Sequence, residues 1–188
     1  ALTRAEEKGT IEQQFANTRL ICKKFARLLE EGWDLVLTHG NGPQVGNMLW
    51  RAELAAQHVH PVDLGICDAN SQGQIGYMLQ QVLSNELQSR NVHRNVITLV
   101  TQIEVDKSDE SFRRPTKPIG PFFNAEEAKE KKSQGWEMIE DSGRGWRRLV
   151  PSPIPRRIVE IDVVSQCVRA GIVPIALGGG GIPVIRRD

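Results

Sequence analysis

LVLTHGNGPQVG, residues 35–46, is the stretch from which the rest of the chain can be read. Four apolar or β-prone residues run into His39-Gly40-Asn41-Gly42-Pro43, and an apolar, helix-compatible segment follows. The order is strand, glycine turn, helix start. A turn of this kind leaves backbone N–H groups at a helix N-terminus, where the helix dipole favours an anion. Glycine there lets a ligand approach the backbone without meeting a Cβ. Residues 39–44 are therefore a candidate phosphate or carboxylate seat. A tight βα turn that needs glycine only for its backbone angles fits the same residues.

Working outward, Thr10 and Gln13 form a capping-box pattern, and Ile11, Phe15, Thr18, Cys22, Phe25 and Leu29 recur on one helical face. This predicts a helix over 11–31, closed by Gly32, that feeds a strand at 35–38. Beyond the turn, Val45, Met48, Leu49 and Ala52 predict a helix over 44–57. His58 and His60 follow on a loop, where solvated histidines are a better reading than a metal site because no third ligand lies nearby. Asp68-Ala69-Asn70-Ser71 supplies cap-type residues for a third helix running to about residue 90. Gly73 and Gly76 fall inside that helix, each costing about 1 kcal/mol relative to alanine, so a close neighbour is expected to compensate. Packing against a strand is favoured over ligand contact. Residues 95–101, NVITLVT, read as a buried strand, with 102–106 extending it or bending away.

Composition changes near Lys107. From there to Pro155 the chain is polar, basic and rich in proline, with β-like pieces at 136–140 and 146–150, a hairpin loop at 143–145 and a short helix at 125–134. Lys117 stands out because Pro115 and Pro118 stiffen its segment, which suits a point contact with an anion. Helical periodicity returns over 158–170, followed by a third buried strand at 172–177 and a second glycine loop, Gly178-Gly179-Gly180-Gly181. Two strand-to-glycine loops can meet at one edge of a parallel sheet, where ligands of α/β folds bind. Neither loop fits G-x-G-x-x-G or G-x-x-x-x-G-K-[ST], which disfavours dinucleotide and Walker-type sites.

Bulk properties narrow the classes. The chain has 188 residues with 24 basic and 23 acidic side chains, a net charge of +1, so global charge carries no nucleic-acid or membrane signal. Anion specificity must come from local clusters. Cys22, Cys67 and Cys167 lie far apart, with neither metal spacing nor a disulfide framework, as expected in a reducing compartment. No run of 18 apolar residues occurs, and residues 1–10 lack the apolar segment of a signal peptide.

Five strings in order, THGNGPQVGN (38–47), SQGQIGYMLQQ (71–81), PTKPIGPFF (115–123), EDSGRGWRRLVPSP (140–153) and GGGGIPV (178–184), resemble the carbamate kinase branch of the amino-acid kinase family. The resemblance covers practically the whole chain. It implies an α/β fold, a three-layer αβα sandwich with a mostly parallel sheet, formed by a core at 1–107 and 156–188 and a small protruding α+β subdomain at 108–155. It implies a cytoplasmic homodimer that transfers a phosphoryl group reversibly between ATP, with Mg²⁺, and carbamate, giving ADP and carbamoyl phosphate, commonly in arginine catabolism. Neither nucleic acid nor membrane is an expected partner. By the same resemblance, Gly40, Asn41, Gly42, Gly178, Gly179, Gly180 and Gly181 bind carbamate and the transferred phosphate, and Lys117 is catalytic. No residue of the chain is expected to ligate a metal. Carbamate is already an anionic nucleophile, so His39 is expected to be structural.

Family members open with a strand ending in Gly-Gly-Asn before an Ala-Leu pair, whereas this sequence starts at Ala1-Leu2. They also continue past GGGGIPV through two further lysine-bearing segments and most of the nucleotide pocket. The sequence as given therefore reads as the acceptor half, expected to be inactive by itself. Two alternatives stay open: a non-catalytic relative that binds an anion or a partner, and another amino-acid kinase.

Overall fold

The computed structural model describes Glu7 and residues 9–187. Ala1-Leu2, which the resemblance sets just past a phosphate loop, lie outside the described residues. Two units are present: Ala1–His39, Gln72–Thr101 and Glu160–Gly178 form one, and Gly40–Ser71, Gln102–Val159 and Gly179–Asp188 form the other.

In the first unit, helix α1 (Ile11–Glu30) starts as its sequence predicts. The Thr10 hydroxyl accepts from the Gln13 N–H at 3.3 Å, and the Gln13 side chain accepts from the Thr10 N–H at 3.1 Å. Two donors that the helix cannot pair internally are thereby satisfied. Helix α3 (Leu64–Ser89) gives this unit its residues from Gln72 onward. Cys22, Ala26 and Leu29 of α1 pack with Ile75, Met78, Leu79, Val82, Leu83 and Leu87 of α3, and with Leu37, Val96, Val173 and Ile175. Each large aliphatic side chain so buried contributes about 1.5–3 kcal/mol of transfer free energy. Strands β1 (Val96–Thr98) and β7 (Val173–Ile175) pair in parallel, and helix α5 (Ile161–Arg169) precedes β7.

The expected strand at 35–38 is reduced to a single parallel bridge between Leu37 and Ile175. The Leu37 N–H donates to the Pro174 carbonyl, and the Ala176 N–H donates to Leu37. Leu37 is buried and Leu35, two residues earlier, packs partly buried against the same core, while Val36 between them is half exposed, so the segment keeps the alternation of a strand although only one residue pairs. The expectation about the glycines of α3 divides. A Cβ on Gly76 would press into Thr98 of β1, whereas Gly73 faces open space.

In the second unit, helix α2 (Gly42–Leu54) packs on strand β3 (Lys117–Phe123) through a backbone contact. A Cβ on Gly46 would overlap the Gly120 backbone and lie 3.1 Å from the Ile119 carbonyl carbon. Gly120 itself sits at φ +77°, in the left-handed region that glycine favours. Strand β3 pairs antiparallel with β5 (Trp146–Val150), which pairs antiparallel with β4 (Met138–Glu140). Helix α4 (Ala125–Ser133), capped by Asn124, covers the Phe123, Ala128 and Met138 cluster together with Trp50, Trp136 and Trp146. A second sheet has β2 (Gln102–Val105) between β6 (Pro155–Ile158), antiparallel to it, and β8 (Ile182–Val184), parallel to it. Residues 102–105 thus form a strand of their own, and Ile158 ends β6 instead of starting the helix.

Helix α3 begins four residues before the predicted cap cluster. The Asp63 carboxylate accepts from the Ile66 N–H at 2.8 Å, and the Asp63 carbonyl accepts from Cys67 at 3.0 Å. Asp63 therefore performs the N-terminal capping that the sequence suggested for 68–71, leaving Asp68 and Ser71 inside the helix with side chains free for other work.

Candidate active site

In the first unit, the segments that precede the two glycine loops lie side by side through the Leu37–Ile175 bridge, and the Thr38 hydroxyl donates to the Leu177 carbonyl at 3.1 Å. Gln72, almost fully buried, donates to the carbonyls of Thr101 at 3.1 Å and Gly178 at 3.0 Å and accepts from the Thr101 N–H at 2.8 Å. Gly178 is held by these contacts. A Cβ there would fall 2.5 Å from His39 Nε2 and 3.0 Å from Gln72 Cγ, so the His39 ring fills the space that glycine leaves.

In the second unit, a pocket of about 430 Å³ gathers Asn41, Lys117 and Gly179–181 with Asp63 and Asp68, against a wall that includes Val45, Ile119 and Val150. Asn41 occupies the N-cap position of α2 but makes no capping bond with its side chain. Its Nδ2 donates instead to Asp68 Oδ1 and, at 2.8 Å, to Ser71 Oγ. The Asn41 amide lies on Gly179: a Cβ there would be 2.5 Å from Asn41 Cγ and 2.6 Å from Oδ1. Gly179 also has φ +69°, so both space and backbone angle demand glycine. Lys117 Nζ donates to the Gly179 carbonyl at 3.0 Å.

Of the residues expected from sequence, Asn41, Lys117, Gly179, Gly180 and Gly181 line this pocket. Gly40 and Gly42 flank Asn41 in the chain; a Cβ on Gly40 would meet nothing within 4 Å, and one on Gly42 would make ordinary contacts with Arg147 and Pro118. Gly178 belongs to the first unit. Sequence reasoning missed Asp68 and Ser71 as parts of the site, although their i, i+3 spacing puts both on one face of α3.

Burial pushes the Asp68 carboxyl above the usual carboxylate range, and the Asn41 hydrogen bond and the Lys117 charge oppose that shift. Burial, joined by the carboxylates of Asp63, Asp68 and Glu53, likewise raises the Cys67 thiol, which is fully enclosed and therefore a poor nucleophile. The arrangement offers an ammonium group, a glycine-rich backbone and an oriented amide around one cavity. These groups suit positioning and charge stabilisation of a phosphoryl or carboxylate group. Among the described residues, no group of three His, Cys, Asp or Glu side chains could hold a metal ion, and no helix is long and apolar enough to cross a membrane.

The comparisons with known proteins point the same way. No family model matches the chain. The structure superposes on carbamate kinase from Giardia lamblia bound to citric acid with a TM-score of 0.96 and 39% sequence identity, covering 100% of this chain and 61% of that one. Against the same enzyme bound to AMP-PNP, the TM-score is 0.84 at 39% identity, over 100% of this chain and 60% of that one. The fold is thus the α/β fold of the amino-acid kinases, with parallel strands and flanking helices. In sequence, carbamate kinase of Pyrococcus horikoshii is 45% identical over 192 residues, 100% of this chain and 61% of the relative. The chain is homologous along its whole length to carbamate kinases, and it spans about three fifths of the length of these relatives.

Proposed function

We propose that this chain is the acceptor-side part of a carbamate kinase, which moves a phosphoryl group reversibly between ATP and carbamate to give ADP and carbamoyl phosphate. The observation that carries the reading is the convergence of Lys117 and Asn41 on Gly179 within one pocket, on a fold homologous to enzymes of that name. Lys117 spends one ammonium hydrogen on the Gly179 carbonyl and retains two for phosphoryl oxygens. Gly179–181 lets the backbone approach the transferred group without a Cβ, and the N-terminal end of α2 directs its partial positive charge toward residues 40–42. Gly40, Asn41 and Gly42 are assigned to the carbamate side, and Gly178 to the backbone anchor of the second loop. Carbamate attacks as an anion, so the chain needs no general base. The catalytic role of Lys117 is to offset charge spread over the equatorial oxygens in the transition state.

The fit of the residues to a phosphoryl group is good, because Lys117 and the positive-φ glycines supply a cation and an unobstructed backbone. Mg²⁺ would arrive on the nucleotide phosphates, where it neutralises charge. We further propose that residues 108–155 act as the protruding subdomain presenting Lys117, which sits in the β3–β5–β4 sheet. A cytoplasmic homodimer serving ATP formation in arginine breakdown completes the reading, on the support of the sequence resemblance. A coupled assay of ATP formation from ADP by the complete enzyme, comparing carbamoyl phosphate with acetyl phosphate and acylglutamyl phosphate, tests the substrate. Carbamoyl phosphate is expected to be the preferred donor by a wide margin; equal or better use of another donor would overturn the assignment.

A further inference from the structure

We propose that Asp68 is a positioning residue of the site, acting through the side-chain amide of Asn41 to hold the second glycine loop and, through that loop, Lys117. The Ser71 hydroxyl donates its one hydrogen to the Asp68 carbonyl at 2.7 Å, so toward Asn41 it can only accept. Asp68 Oδ1 is an acceptor as well. Both hydrogens of the Asn41 amide are therefore committed to α3, and the flipped orientation would set Oδ1 against a carboxylate and a hydroxyl with no hydrogen to give. The amide is locked in one of its two orientations. The amide then lies against Gly179, in the space a Cβ would need, and the Gly179 carbonyl takes Lys117 Nζ at 3.0 Å. Four residues from four separate parts of the chain are thus connected in series: Asp68, Asn41, Gly179, Lys117. Asn41 is only 3% exposed, so water cannot readily replace the carboxylate as its partner.

In kinetic terms the inference rests on the phosphoryl-transfer reading, and a spectroscopic measurement separates the two. Four forms are compared with wild type in the complete enzyme of which this chain is the acceptor-side part: Asp68→Ala, Asp68→Asn, Asn41→Ala and the Asp68→Ala/Asn41→Ala double variant. Asparagine at 68 keeps an oxygen that can accept from Asn41, whereas alanine keeps none. Asp68→Ala is expected to lower kcat for ATP formation by roughly tenfold, the effect of losing one hydrogen bond to a charged partner, with Asp68→Asn restoring most of it. In the Asn41→Ala background, Asp68→Ala should cost less than about twofold further, because its route of action has already been removed. Costs that multiply instead would show that Asp68 acts without Asn41 and would overturn the proposal. Independently of turnover, the Asn41 side-chain NH₂ pair in a ¹⁵N correlation spectrum should be shifted and slow to exchange in wild type and Asp68→Asn, and should lose both properties in Asp68→Ala. An unchanged pair would also overturn the proposal. Complete wild-type enzyme, with the nucleotide-side part present, that shows this signature but transfers no phosphoryl group would refute the functional reading while leaving the positioning role standing. Should Asp68→Ala not fold, Ser71→Ala removes the other acceptor and is expected to loosen the same NH₂ pair; no change there would refute the locked orientation.

Discussion

Gly73 and Gly76 lie three residues apart in the interior of α3, and the same substitution should act on them with opposite sign. Gly73 is exposed, and a Cβ built there meets nothing within 4 Å. Alanine at 73 should therefore stabilise by about 0.5–1 kcal/mol, through helix propensity and a less flexible unfolded chain. Gly76 is buried, and its Cβ would stand 2.8 Å from Thr98 Oγ1 and 3.0 Å from Thr98 Cβ, with Cγ2 closer still. Rotating the threonine exchanges hydroxyl and methyl, but Thr98 Cβ is fixed to strand β1, so helix and strand must separate by roughly 0.5–1 Å to reach the 3.5–4.0 Å of normal carbon contacts. Overpacking of that kind costs about 1–3 kcal/mol. The propensity gain is common to both variants and cancels in their difference, leaving Gly73→Ala more stable than Gly76→Ala by about 1–3 kcal/mol, or roughly 2–12 °C in Tm for a chain of this size. Urea and thermal denaturation of the two variants, followed by circular dichroism, would measure it. Equal stabilities, or the reverse order, would refute the close approach of α3 and β1.

Three other outcomes are expected. In the complete enzyme, Lys117→Ala should reduce ATP formation from carbamoyl phosphate by roughly 100-fold or more, in line with removal of one oriented charge-stabilising donor, while circular dichroism and Tm stay at wild-type values; unchanged kinetics would remove Lys117 from the site. Asp68, held above its usual range by burial, binds its proton more tightly folded than unfolded, so its stabilising contribution is complete below the unfolded value of about 3.9 and is lost as pH rises through the raised folded value. The Tm of Asp68→Asn relative to wild type should accordingly increase from pH 3.5 to 7, and a difference that stays flat or falls would contradict the burial. Cys22 is fully buried with its thiol pushed up to about 12, Cys67 is fully buried, and Cys167 is partly exposed. Iodoacetamide should label Cys167 first in the native protein and reach Cys22 and Cys67 only on unfolding, which peptide mass spectrometry would resolve; equally rapid labelling of all three would refute the enclosure of the other two.

Local chemistry carried much of the architecture. The Thr10–Gln13 box, the apolar stripe through Cys22 and Leu29 and the proline-stiffened segment around Lys117 depend on neighbours in sequence, and each can be read from residue type and spacing alone. The glycine-rich strings did the same for the site, because backbone that must approach an anion closely or adopt positive φ restricts the choice of residue. Asn41, Lys117 and Gly179–181 were all legible on these grounds and all line one pocket.

Other features were set by residues far apart in the chain. Asp68 and Ser71 look like helix caps because their side chains are of the capping type; Asp63, five residues before Asp68, takes that role and turns them toward Asn41. Gly73 and Gly76 are equivalent in any propensity scale, yet only Gly76 faces a strand. Residues 35–38 have the composition of a strand but keep a single bridge, since pairing depends on what the neighbouring segment offers. The sequence by itself determined where the glycine turns and the α1 cap fall and which residues are candidates for an anion site, because those depend on backbone angles and local hydrogen bonds. Tertiary structure alone decided which amide orientation Asn41 adopts, which glycine must remain glycine and which carboxylate belongs to the site, because each depends on an atom brought close from a distant part of the chain.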